Sequence, residues 1–96
     1  MAKYKLSNEA KNDLIRIHQY GISKFGMAQA DKYFETFFEY FEIIAERPYS
    51  FESVEYIKKE YRRCPCGTDS IYYKVNEGVV EIMTIIGRQD FKKIIE

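Results

Sequence analysis

The residues best suited to chemistry form a basic cluster in the second half of the chain. The stretch Lys58-Lys59-Glu60-Tyr61-Arg62-Arg63 holds four basic residues and one acidic residue. On an extended strand Lys59, Tyr61 and Arg63 would point to one face, because side chains alternate there. Arg88 could lie on the same side of the sheet. A guanidinium beside a tyrosine ring suits a phosphate or a carboxylate, so the cluster indicates either an anion-binding surface or an ordinary charged edge strand that resists aggregation.

The remaining reactive side chains are interpreted as core or boundary packing in the case of His18, and as packing or surface thiols in the case of the two cysteines. His18 falls in the middle of a helical pattern beside its apolar stripe, with no Cys, Ser or Asp at a suggestive spacing. Cys64 and Cys66 flank Pro65 and are too close for an unstrained disulfide in an extended segment. A zinc site would need a second Cys or His pair, and the chain has one His. We therefore predict no metal site and no cofactor.

An aromatic line runs along the second helical segment beside its core stripe. It consists of Tyr33, Phe37, Tyr40 and Ile44. Such a wide apolar face exceeds what a two-layer fold needs on one side. The line is therefore interpreted either as core or as part of a docking groove for a partner, and the residues alone do not separate the two.

Composition predicts one soluble domain covering residues 1–96. The chain is 46% hydrophobic and 31% charged at zero net charge, which is typical of a folded domain and not of a disordered one. No apolar run approaches the roughly 18 residues of a membrane helix, and no secretion segment is recognisable at the start. We expect a cytoplasmic protein without membrane contact. The charge is also uneven, since residues 31–60 hold four basic and eight acidic residues. We therefore do not expect nucleic acid to cover the protein surface uniformly, and no sequence-specific nucleic-acid binding is expected.

Periodicity predicts two helices joined by a very short connection. Apolar residues at spacings of three and four indicate the first helix over about residues 8–25, capped by Ser7 or Asn8. Gly26 terminates it, and a second helix begins almost at once. Arg47-Pro48 ends that helix, because the residue before a proline is pushed out of the helical region. Such a short link requires the helices to fold back as an antiparallel hairpin.

The remaining segments carry strand and turn patterns. Residues 49–56 are predicted to be a loop, and Asn76-Glu77-Gly78 a three-residue hairpin loop. The predicted strands are Tyr4 to Ser7, Ile57 to Cys64, Ser70 to Val75 and Val79 to Ile86. The order predicts an α+β fold, β-α-α-β-β-β, with an antiparallel sheet packed against the helical hairpin.

These segments together resemble the ParE branch of the RelE/ParE toxins over nearly the whole chain. No single motif decides the resemblance, but the ordered set is specific, above all from Tyr61 to Asp90. The segments are Tyr4-Lys5-Leu6-Ser7, Ala10-Lys11-Asn12-Asp13-Leu14, Tyr20, Phe25-Gly26, Ala30, Ala45-Glu46-Arg47-Pro48, Tyr61-Arg62-Arg63, Ser70-Ile71-Tyr72-Tyr73-Lys74-Val75, Val80-Glu81-Ile82 and Gly87-Arg88-Gln89-Asp90.

The resemblance implies a cytoplasmic bacterial toxin of a type II toxin–antitoxin system, held in a hetero-oligomer by a cognate antitoxin. ParE-like members act on DNA gyrase and trap its cleaved DNA complex, whereas RelE-like members cut messenger RNA on the ribosome. Arg88 is followed by Phe91 and by no Tyr or His. Because RNA cleavage needs proton transfer, this favours a gyrase inhibitor without catalytic residues. The alternatives are a nuclease using Lys59, Tyr61, Arg63 and Arg88, with Tyr72 or Tyr73 as possible substitutes for the missing proton donor, and an interaction module that has lost toxicity.

The resemblance and the residue pattern together suggest two binding sites. Target-binding residues are predicted at Arg88, Asp90 and Phe91. An amphipathic antitoxin helix is expected against the helical hairpin, extending towards the sheet. Its predicted contacts are Tyr33, Phe37, Tyr40, Arg62 and Arg63.

Overall fold

The structure, a computed structural model that describes residues 3–87, has two helices and five strands in the order β-α-α-β-β-β-β. The predicted α+β class is confirmed. The elements are β1 (Tyr4–Leu6), α1 (Asn8–Phe25), α2 (Met27–Glu46), β2 (Glu52–Ser53), β3 (Arg62–Cys66), β4 (Asp69–Asn76) and β5 (Val79–Gly87).

Local signals set the ends of both helices where the sequence predicts them. The Ser7 side chain accepts a hydrogen bond from the Ala10 N–H at 3.0 Å, which caps the start of α1. Gly26 separates the helices with φ of 91°, a value that favours glycine. The second helix ends at Glu46, just before Arg47-Pro48. Near this connection Gly21 and Ala30 let the helices approach, since a Cβ on Gly21 would lie 3.2 Å from that of Ala30.

The sheet is mixed, with the strand order β1-β5-β4-β3-β2. The pairs β3–β4 and β4–β5 are antiparallel, as predicted, and the additional pair β2–β3 is antiparallel as well. The first strand departs from the predicted antiparallel sheet because it pairs in parallel with β5, placing Tyr4 opposite Val80 and Leu6 opposite Ile82. A parallel pair requires a long connection, and the two helices and the other strands supply it.

The main differences from the predicted strands lie in residues 49–61 and in the β4–β5 loop. The segment from Ile57 to Tyr61 is folded into turns, with the Val54 N–H bonded to the Tyr61 carbonyl at 2.9 Å and Glu60 at φ of 68°. The strand predicted from Ile57 therefore begins only at Arg62. The predicted loop over residues 49–56 contains the short strand β2. The β4–β5 loop has two residues, Glu77 and Gly78, both at positive φ, which suits a tight hairpin turn.

Two apolar clusters hold the sheet. The larger one lies between the helical hairpin and the sheet, and the smaller one lies beneath the loop that precedes β3. Fully buried members of the larger cluster include Phe37, Phe41, Ile44, Ile71, Tyr73 and Ile82. The smaller cluster consists of Val54, Tyr72 and Ile86, with Ile57 and Tyr61 packed against it. Segment 54–61 therefore encloses apolar side chains that do not belong to the helix-facing core.

The first helix also completes the edge of β5 beyond the end of β1. Asp13, which is 2% exposed, accepts hydrogen bonds from the Thr84 hydroxyl at 2.7 Å and from the Ile85 N–H at 3.0 Å. The Arg16 Nη2 donates to the Ile85 carbonyl at 3.2 Å. Helical side chains thus bond to the polar backbone groups of β5 that a neighbouring strand would otherwise bind.

Replacing Asp13 with Ala should destabilise the chain by about 2–4 kcal/mol, because the buried Thr84 hydroxyl and Ile85 N–H would lose this acceptor. Urea unfolding followed by circular dichroism measures the effect. The control is Asn12→Ala, an exposed neighbour on the same helix, which should change stability by less than about 0.5 kcal/mol. Equal unfolding midpoints for the two variants would contradict the assigned role of Asp13.

Candidate partner-binding groove

A large groove of about 1330 Å³ lies at the end of the sheet where β5 terminates. Its walls are the second half of α1, the first half of α2, the β3–β4 turn and part of the loop before β3. The inner faces of both helices are only partly covered here, since side chains from both line the groove. The resulting surface combines apolar and aromatic side chains with a few charged groups, as protein-binding grooves do.

Exposed aromatic rings surround this groove. Tyr20 is 60% exposed, Phe25 61% and Tyr56 79%, and all three line the groove. The helical period assigns Phe25 to the apolar stripe of α1. The structure exposes it at the end of α1, where it lines the groove. Exposed aromatic side chains around a concave surface are typical of a site that a partner covers.

His18 joins the two helices beside the groove. Its Nε2 lies 2.7 Å from Asp31 Oδ1, and its ring centroid lies 5.0 Å from that of Phe34. The side chain is partly buried and packs against Phe34, which places it at the edge of the core. The sequence analysis missed its partner Asp31, thirteen residues further along, because that spacing crosses from one helix to the other.

Tyr33 lines the groove and ties α2 to the β3–β4 turn. Its hydroxyl lies 3.0 Å from the Cys66 carbonyl and 2.8 Å from Asp69 Oδ2. Burial, with a smaller contribution from the hydrogen bond to Asp69, raises the pKa of Tyr33 well above its usual value. Gly67 allows this contact, since it has φ of 62° and a Cβ there would lie 2.6 Å from the Tyr33 hydroxyl oxygen. Tyr33 therefore presents a fixed ring to the groove.

The structure moves most of the aromatic line on α2 into the core. Phe37 and Ile44 are both 0% exposed. The prediction that Phe37 is a surface anchor for an antitoxin is therefore wrong, because the sheet covers this side of the helix. Tyr40 is half-buried against the same core and does not line the groove. Of the three aromatic residues predicted to contact the antitoxin, only Tyr33 lies on the groove.

The two arginines predicted to contact the antitoxin are held differently by the fold. Arg62 donates to the Phe51 carbonyl at 2.8 Å and lies 5.0 Å from the centre of the Tyr49 ring, outside the groove. Arg63 lines the groove, where its Nε donates to Ser70 at 2.9 Å and its Nη1 to Glu52 at 2.8 Å. Hydrogen bonding to Glu52 raises the pKa of Arg63 although burial lowers it.

Lys59, Tyr61 and Arg63, which the alternative nuclease site would use, do not lie on one strand, since β3 begins only at Arg62. Lys59 is exposed in a turn ahead of β3, so the predicted strand that would align it with Tyr61 and Arg63 is wrong at this position. Burial, and then the charges of Glu9 and Glu81, raise the pKa of Tyr61 and disfavour its phenolate form. The fourth residue, Arg88, lies outside the described residues.

The cysteines are buried free thiols on β3, in agreement with the packing interpretation. Burial raises the pKa of Cys64 to about 11 and that of Cys66 to about 12, which suppresses the reactive thiolate at neutral pH. Within residues 3–87 no group of three or more His, Cys, Asp or Glu side chains is arranged to hold a metal ion.

The predicted target-binding residues Arg88, Asp90 and Phe91 also lie outside the described residues. Gly87, which precedes them, ends β5 and lines the groove. The sequence analysis did not identify Arg16, which enters the groove from α1. Its position three residues after Asp13 on the helix was the available signal, but only the tertiary structure shows the β5 edge that both residues contact.

Comparison with known proteins decides the family. The model of the family described as ParE toxin of type II toxin–antitoxin system, parDE, matches residues 4–91. The chain belongs to this ParE toxin family. A curated relative, Toxin ParE1 of Caulobacter vibrioides, is 37% identical over 87 residues, covering 90% of this chain and 88% of that protein.

A solved structure agrees with the ParE fold. It is a chain of the chromosomal ParDE TA system from P. aeruginosa, with a TM-score of 0.80 at 17% identity, covering 91% of this chain and 96% of that chain. In the part of the present chain that the structure describes, neither helix combines the length and apolar character needed to span a membrane.

Proposed function

We propose that this ParE-family toxin inhibits DNA gyrase in the bacterial cytoplasm and that a cognate antitoxin neutralises it by binding in the groove. The family membership supports a toxin paired with an antitoxin. The groove, with exposed Tyr20, Phe25 and Tyr56 along it, is the observation that carries the antitoxin site. An amphipathic helix suits such a surface, because it can place one apolar face between the helices and the sheet.

The positions of Lys59 and Tyr61 favour gyrase inhibition over RNA cleavage. A nuclease needs a group that exchanges a proton near neutral pH and cations that stabilise the developing phosphate charge. Tyr61 is partly buried with a raised pKa, and the Lys58 Nζ lies 5.7 Å from its ring centre. Lys59 extends into solvent from the turn ahead of the strand.

Expression of the chain from a tightly controlled promoter should arrest bacterial growth, and co-expression of the cognate antitoxin, which we expect to be the product of the adjacent gene, should restore it. In a purified reaction with gyrase, supercoiled DNA and ATP, the chain should increase the amount of linear DNA released by detergent and protease. A matched reaction without the chain gives the background.

Other outcomes of this test identify the alternatives. Translation arrest with cut messages on purified ribosomes, lost on replacing Lys59 or Tyr61, would establish the nuclease instead. Undisturbed growth with tight binding of the adjacent gene product would indicate an interaction module that has lost toxicity.

A further inference from the structure

Arg16 reaches the groove from α1 with part of its guanidinium group already fixed. Its Nη2 donates to the Ile85 carbonyl at 3.2 Å and lies 3.5 Å from Asp13 Oδ1. The side chain is 49% exposed. No group within residues 3–87 accepts a hydrogen bond from Nε or Nη1 of Arg16. The fold thus holds the Nη2 of Arg16 in place and leaves the N–H groups of Nε and Nη1 available to a partner.

The other charged side chains of the groove differ from Arg16. Arg63 uses its Nε and Nη1 for Ser70 and Glu52. Lys32 is exposed and carries a flexible point charge. The carboxylate of Asp69 accepts from Tyr33. Among the described residues that line the groove, cations therefore outnumber acids, and Arg16 is the one that bonds to β5 and still has free donors.

We propose that Arg16 binds a carboxylate of the antitoxin and thereby selects an acidic segment as the occupant of the groove. This inference rests on the proposed function, since it specifies the partner of the same surface. Nη2 already donates to Ile85 and contacts Asp13, and the available Nε and Nη1 lie on different edges of the guanidinium, so each can donate one charge-assisted hydrogen bond to a carboxylate. Fixing Nη2 in advance lowers the entropy that Arg16 loses on binding. Apolar contacts in the groove would then provide most of the buried surface. The ion pair with Arg16 would fix the position of the antitoxin segment along the groove and favour an acidic one.

The test measures binding of the purified adjacent gene product to the full chain by titration calorimetry. Arg16→Gln should weaken the affinity roughly 10- to 100-fold, and Arg16→Lys should recover only part of the loss, because an ammonium group lacks the planar donors that bond to Ile85 and to a partner at once. Lys11→Gln is the matched control, since Lys11 is exposed on the same helix and does not line the groove. Its affinity should stay within about twofold of the parent.

A second measurement separates pairing from a purely structural effect of Arg16 on β5. Each Asp and Glu of the bound segment is replaced singly by Asn or Gln, and every variant is titrated against the parent chain and Arg16→Gln. One replacement should weaken binding to the parent about tenfold or more and leave binding to Arg16→Gln nearly unchanged.

The outcomes distinguish the two proposals. Arg16→Gln with parental affinity, or a loss that couples to no carboxylate of the partner, would overturn the role of Arg16 alone. Failure of the parent chain to bind the adjacent gene product would overturn the proposed antitoxin interaction and this inference with it.

Discussion

Replacing Phe37 with Ala should lower the free energy of unfolding by roughly 3–5 kcal/mol, the cost typical of removing a large side chain from a packed core. Phe37 is fully buried, and its ring packs 5.0 Å from that of Tyr33 and 6.4 Å from that of Phe41, measured between centroids. The truncation would leave a cavity between α2 and the sheet. Chemical unfolding of the full chain gives the change.

Phe25→Ala is the matched control for this measurement. The residue type and the truncation are the same, but Phe25 is 61% exposed. Its replacement should change stability by less than about 0.5 kcal/mol while weakening antitoxin binding, because Phe25 lines the groove. Equal destabilisation by the two replacements, or parental stability of Phe37→Ala, would contradict the division between core and groove.

Arg88→Ala should abolish growth inhibition, which is the largest functional effect we expect from a single replacement. Arg88 directly follows Gly87, the last residue of β5, which lines the groove. A guanidinium at this point could bind a carboxylate of gyrase or a phosphate of its DNA through two parallel hydrogen bonds. Arg88→Lys should restore inhibition only in part, because lysine lacks the planar fork. Growth curves after induction, with protein levels checked by immunoblot, measure the effect.

The control for Arg88 is Lys92→Ala, which removes one positive charge from the same segment and should leave inhibition nearly intact. Thermal unfolding and antitoxin binding of Arg88→Ala distinguish a loss of target binding from a loss of folding. A fully toxic Arg88→Ala variant, or one that fails to fold, would refute the assignment. The structural alternative is an internal salt bridge from Arg88 to Asp90 or to a strand carboxylate such as Glu81, and Glu81 already lies 3.9 Å from the Lys74 Nζ.

On α2 a groove residue and a core residue lie one turn apart on the same face. The sequence pattern alone therefore could not separate binding residues from core residues. Tyr33 faces the groove and the β3–β4 turn, whereas Phe37, one turn later, faces the sheet. Periodicity identifies residues that share a helical face. It does not show which residues of that face the sheet covers, and this coverage determines which aromatic residues remain available to a partner.

Local sequence signals are sufficient to predict both helices and the central strand. The Ser7 cap, Gly26 between the helices and Pro48 after the second helix act within a few residues, so they fixed α1 and α2 correctly. The apolar run after Gly78 likewise predicted the central strand β5. The ordered set of short motifs identified the toxin family, because it combines many weak signals along the chain.

Contacts between residues that are distant in sequence become visible only in the folded chain. The parallel pairing of β1 with β5 joins positions about 76 residues apart, such as Tyr4 and Val80. The turns that place Lys59 ahead of β3 arise from hydrogen bonds around segment 54–61, which no period reports. Arg16 becomes a fixed cation only through the Ile85 carbonyl. Helix periodicity and caps depend on interactions between near neighbours in sequence. Sheet order and the charge of the groove depend on packing between distant residues. For that reason the sequence predicts most of the fold but not the binding surface.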